Sequence, residues 1–184
     1  MLAGLSAYSV TILMLLAVAG VIAGLARGFS GFGAALIFVP LASALVGPKL
    51  AGPILLLADA VMALPLLRNA WHQGDRRAAA TMAAGALAGI PVGAAILAAF
   101  DPLALRWLIA GLAAAMLLLL LSGWRFRGKP TVASTVATGA ISGLFSGIAQ
   151  IGGPPVVAYW MGLNAPPIAM RANFILFFAA SNAI

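Results

Sequence analysis

Apolar stretches follow one another along almost the whole chain, and most of its few charges sit in the gaps between them. Eight stretches can be read, at about 8–26, 32–46, 50–67, 78–100, 103–123, 131–149, 154–163 and 166–184. A helix needs about 20 apolar residues to cross the hydrocarbon core of a bilayer. Charged residues make up 7% of the chain and hydrophobic residues 64%, whereas a soluble domain carries about 25% charged residues. Too few polar side chains are present to cover a water-facing surface. Helices satisfy their own backbone in lipid, so the sequence predicts an all-α polytopic membrane protein. The first stretch has no positively charged n-region, since Arg27 is the first basic residue, and it reads as a mature span rather than a signal peptide.

Six of the ten basic residues form two clusters, Arg68, Arg76 and Arg77, and then Arg125, Arg127 and Lys129. Two spans separate them, so both can face the cytoplasm. If every stretch before the first cluster crosses, the N-terminus lies outside. The net charge of +7 therefore orients spans in a lipid bilayer and is not a nucleic-acid signal. Cysteine is absent and only one histidine and three carboxylates are present, which excludes thiolate chemistry and predicts no metal and no cofactor. No nucleophile–base pair or nucleotide-binding loop is visible, so the chain does not read as an enzyme. His72 falls in a charged gap and is expected to be solvated. Trp71, Trp107, Trp124 and Trp160 fit interfacial anchors, and Trp160 could instead face a cavity.

Two stretches, 32–46 and 154–163, are too short to cross at 1.5 Å per residue, and each follows a glycine cluster. The clusters match one another. Displaced by 119 positions, Gly20, Ile22, Gly24, Leu25, Gly28 and Gly33 fall on Gly139, Ile141, Gly143, Leu144, Gly147 and Gly152, and Pro48 falls on Pro167. An odd number of crossings between the copies would set them in opposite orientations. Inverted repeats with paired helix interruptions point to a transporter's binding site. The expected organisation is a first repeat over residues 1–130, of about five helical segments, and a second over 131–184 that is incomplete at its C-terminal end.

Interrupted backbone is tolerated inside a membrane only where protein or a water-filled cavity satisfies it. A break exposes the first N–H groups of the next half-helix, at the positive end of its dipole. Glycine lets a ligand approach that backbone, and proline in the first turn loses nothing by lacking an N–H. Such an end suits a small anion. Candidate binding residues are Gly28, Ser30, Gly31 and Gly33 at the first break, and Gly147, Gln150, Gly152, Gly153 and Pro154 at the second. Close packing of helices is the plainer use of such glycines. Ser146 could donate to a ligand or cap a half-helix. Arg171 could add a charge-assisted bond or extend to the membrane interface, and Arg27 is ambiguous in the same way. Asp59, central in its stretch, is a candidate for carrying a coupling proton. It could instead pair with Arg27 or Arg171, or bond to nearby backbone. Its repeat counterpart is Phe178.

The stretches "GLARGFSGFGAALIFVPL" and "GLFSGIAQIGGPPVVAYW" resemble the paired signatures of the TauE/SafE family of sulfite-exporter-like membrane proteins. The likeness extends to "WHQGDRR" before the fourth span and "PIAMRANFILFF" after the second motif. The resemblance implies a secondary transporter that moves sulfite, organosulfonates or another small anion across the bacterial inner membrane, by alternating access around the paired breaks. Members of that family are usually longer, so the closing helices of the second repeat are expected to be missing here, and a non-transporting membrane subunit or truncated remnant is the alternative. A homo-oligomer is compatible with either reading. The motifs do not encode which anion moves, in which direction, or with which coupling ion.

Overall fold

The structure, a computed structural model, describes residues 9–30, 32–163 and 166–184, without the side chain of Ser30. Among these residues the chain forms eight helices: α1 (Val10–Ser30), α2 (Ala34–Val46), α3 (Pro48–Gln73), α4 (Arg76–Ala99), α5 (Pro102–Leu121), α6 (Val132–Ala149), α7 (Gly153–Gly162) and α8 (Pro167–Ala183). Each matches one apolar stretch of the sequence. Five of them, α1, α3, α4, α5 and α6, are long and apolar enough to cross a membrane. At 1.5 Å per residue, α2 and α7 reach about 20 and 15 Å, short of a core about 30 Å thick.

Two boundaries differ from those expected. The first helix does not stop at Ala26 but continues through Arg27 and Gly28 to Ser30. The third runs past its apolar end to Gln73, because Arg68–Gln73 contains no strong helix breaker. The charged gap shrinks to Gly74 and Asp75. There Asp75 caps α4, its carboxylate accepting from the Ala78 N–H at 3.0 Å, and its own N–H donates to Asn173 Oδ1 at 2.6 Å. His72 is exposed at the end of α3, as expected of a solvated residue. Trp71, Trp107 and Trp124 are exposed, but Trp160 is only 2% exposed and stacks among Phe174 and Phe177. It is therefore a core residue rather than an interfacial anchor.

The tightest pairing joins α4 to α6. A Cβ added to Gly85, Gly89 or Gly93 would lie 2.0, 2.1 or 2.2 Å from the carbonyl oxygens of Val136, Ala140 and Leu144. One added to Gly139, Gly143 or Gly147 would lie 1.9, 2.7 or 2.3 Å from the backbone of Met82, Ala86 or Ile90. The contacts advance in the same direction along both helices, so α4 and α6 run parallel. Helices in lipid gain little from hydrophobic burial, and close backbone approach along small-residue stripes is what holds them together. Gly89→Ala is expected to force the two backbones apart and to cost at least about 1–3 kcal/mol. An unchanged melting temperature in detergent would contradict this.

That parallel course sets the ends of the molecule. Both basic clusters lie at the starts of α4 and α6, hence at one end, as the charge pattern requires. Helix α8 runs antiparallel to α3. Near the end of α3, Gly74 meets Asn173 and Leu176, whereas Gly52 and Leu56 near its start share a cavity with Ser181 and Asn182. Helix α7 folds back along α6. Its Tyr159 hydroxyl lies 2.7 Å from Thr135 Oγ1, and its Ala158 carbonyl accepts from the Phe126 N–H at 3.0 Å. Helix α2 folds back along α1, where Gly20 faces Phe38, and Gly47 alone, at φ 91°, joins it to α3. The α1–α2 hairpin thus enters from the end opposite the basic clusters, and the α6–α7 hairpin enters from the basic end.

Candidate functional site

The tips of the two hairpins are built differently. In the first, Gly33 takes the left-handed conformation (φ 93°) just before α2, a region that glycine enters without a Cβ clash. In the second, the left-handed residue is Gln150 (φ 58°), at the end of α6. Its N–H donates to the Ser146 carbonyl at 2.8 Å, and the Ile151 N–H reaches back to Phe145 at 3.3 Å, which is the way helices commonly stop. Ser142 Oγ then fixes the turn by donating to the Gly152 carbonyl at 2.6 Å. Pro154 and Pro155 occupy the first turn of α7, so among its leading residues Gly153 keeps an N–H. At the other tip, Ala34 and Ala35 lead α2 with theirs.

The two tips meet. One cavity of about 30 Å³ is lined by Phe32, Gly33, Ala34, Ala35 and Leu36 from the first, and by Gln150, Ile151, Gly153 and Pro154 from the second. Arg27, Asp59, Phe178 and Asn182 complete it. Four pairs of lining positions are 119 residues apart: Phe32 and Ile151, Ala34 and Gly153, Ala35 and Pro154, and Asp59 and Phe178. That volume holds a water or two.

Within it, Arg27 Nη1 donates to Asp59 Oδ2, the one ion pair among the described residues. The side chains are 19% and 14% exposed. Asp59 has no polar neighbour along its own helix, but α1 brings the guanidinium across to it, so the pairing with Arg27 considered from the sequence is present here.

The sequence-derived candidates fall into three groups. Gly33, Gln150, Gly153, Pro154 and Asp59 line the shared cavity. Gly28 and Arg171 line a neighbouring cavity of about 70 Å³, which Arg27 and Phe178 also border, and Arg171 is an exposed residue there. Gly147 and Gly152 are engaged in packing: Gly147 sits in the α4–α6 seam, and a Cβ on Gly152 would lie 2.2 Å from Ser146 Oγ. Gly147 and the buried Ser146 also border a third cavity of about 220 Å³, which Gln150 and Asn182 connect to the shared one. The backbone of Ser30 ends α1, and Gly31 lies outside the described residues. No group of histidine, cysteine, aspartate and glutamate that could hold a metal is found among the described residues.

Asn182 was not legible as a site residue. Its Nδ2 is buried without a hydrogen-bond partner among the described residues, but in sequence it is one polar residue near the end of an apolar stretch. Phe178 carried a signal, as the repeat counterpart of Asp59.

Five apolar helices and two hairpins that meet inside the molecule from opposite ends define a multi-pass helical membrane protein with an internal cavity between hairpin tips. A family profile described as sulfite exporter TauE/SafE matches residues 16–184. The chain belongs to that family, whose members are membrane transporters acting on a small-molecule substrate within the lipid bilayer. No curated protein and no solved structure shows a significant match.

Proposed function

We propose that the protein is a secondary transporter of a small oxyanion, sulfite or an organosulfonate foremost, across the bacterial inner membrane. The observation that carries this reading is the single cavity lined from both hairpin tips at repeat-related positions. Two half-helices, α2 and α7, begin at it, and their first-turn amides and dipoles favour a negative charge. The units 1–130 and 131–184 are read as inverted repeats, a reading supported by the antiparallel course of α3 and α8 and by hairpins that enter from opposite ends. In such an arrangement, rocking one unit against the other opens the same site to each side in turn. Substrate identity comes from the family alone.

Flux settles the matter experimentally. Purified protein in proteoliposomes loaded with sulfite is expected to release it faster than protein-free vesicles, and excess unlabelled methanesulfonate should slow that release if sulfonates share the site. Release no faster than from empty vesicles would favour the non-transporting reading.

A further inference from the structure

We infer that Arg27 is the residue that takes up the charge of the anion, that Asp59 is its resting counter-ion, and that a proton therefore enters the cavity with each anion bound. This inference rests on the anion-transport reading above. Arg27 borders the shared cavity, the neighbouring one of about 70 Å³ and a further one of about 130 Å³ between α1, α2 and α3. Its guanidinium offers a planar fork of donors that fits the paired oxygens of a sulfite or sulfonate as well as those of a carboxylate. At rest one arm of that fork, Nη1, donates to Asp59 Oδ2.

An incoming oxyanion must share the one guanidinium with Asp59 or displace it. The cavity, about 30 Å³ in volume, must widen to admit an oxyanion, which then lies beside Asp59, and like charges so close disfavour one another. If the anion displaced an ionised Asp59, that carboxylate would be left buried without a partner, which is costly. A proton on Asp59 removes both penalties. The remaining surroundings do not supply the missing charge: among the described residues, α2 and α7 bring no titratable group to the cavity, α6 brings Gln150 and α8 brings Asn182. Arg171 borders the adjoining cavity with Arg27 and is exposed. The formal charge of Arg27, Asp59 and a monovalent anion together is then zero, as it is for the resting pair, when exactly one proton has been taken up.

The test compares sulfite binding to the wild-type protein, Asp59→Asn and the double variant Arg27→Gln/Asp59→Asn, between about pH 5 and 8. Sulfite's own ionisation is common to all three and cancels in the ratio of affinities. At the high end Asp59→Asn is expected to bind at least about tenfold tighter than wild type, and the ratio should approach one as the pH falls. The double variant, which leaves no unpaired charge, should fold and bind no sulfite. If Asp59→Asn is unstable alone, added sulfite should raise its melting temperature more than that of wild type. A ratio that does not change with pH, a weaker Asp59→Asn, or wild-type affinity in the double variant would overturn the inference while leaving anion binding intact. No sulfite binding by wild type at any pH would remove the anion reading itself.

Discussion

Gly153→Leu is expected to leave a folded, membrane-inserted protein whose sulfite flux falls to that of empty vesicles. A Cβ at this position meets only Phe178 and Phe32, both at 3.8 Å, which is ordinary contact, so the first atom of the new side chain is accommodated. The remaining carbons extend into a cavity with room for only a water or two, and they cover the amide that α7 offers there. The adjacent Gly152→Leu should behave in the opposite way. Its Cβ would lie 2.2 Å from Ser146 Oγ and 2.3 Å from the Ser142 carbonyl oxygen, inside the hydrogen bond that closes the turn. The expected result is a loss of about 3 kcal/mol or more of stability and little recoverable protein. Melting curves and flux measured on both variants check the pair. Full flux through Gly153→Leu would mean that the substrate does not pass between the tips.

Breaking the ion pair gives the second large effect. Arg27→Gln leaves the Asp59 carboxylate in the membrane interior without its partner, which is expected to cost about 3–5 kcal/mol. The double variant Arg27→Gln/Asp59→Asn should recover most of that loss, because removing both charges together is often close to neutral. Thermal melts in detergent at neutral pH distinguish the outcomes. If the single variant is as stable as wild type, water reaches the pair freely and it does not hold α1 to α3. If the double variant is no better than the single one, the cost lies in the packing of the arginine stem rather than in the charge.

The glycines illustrate how one sequence signal divides in three dimensions. Gly139, Gly143 and Gly147 on α6 are matched along the chain by Gly20, Gly24 and Gly28 on α1. The first set is pressed against the backbone of α4, while around Gly24 and Gly28 nothing lies within 4 Å of an added Cβ. Spacing alone supports a binding role and a packing role equally, because both need a residue without a side chain. Which one applies depends on whether another helix lies opposite, and that is set by segments far away in the chain.

The sequence by itself determined the class and, among the described residues, the number of helices, because apolar run length and scarcity of charge are local quantities that lipid reads directly. It also determined where α2 and α7 begin, since Gly33 and Gly152 to Pro155 act on their own backbone. The tertiary structure decided what those helix starts enclose. It placed Phe32, Ile151, Ala34 and Gly153 around one cavity, moved Arg171 to a neighbouring one, buried Trp160 in the core, and brought Arg27 to Asp59 across 32 residues. The physical reason is that an apolar helix carries little directional pattern: lipid and protein interior are equally apolar, so hydrophobicity cannot say which face turns inward. Facing is settled by backbone fit and by the few polar groups that must find partners, and neither is visible until the helices are packed.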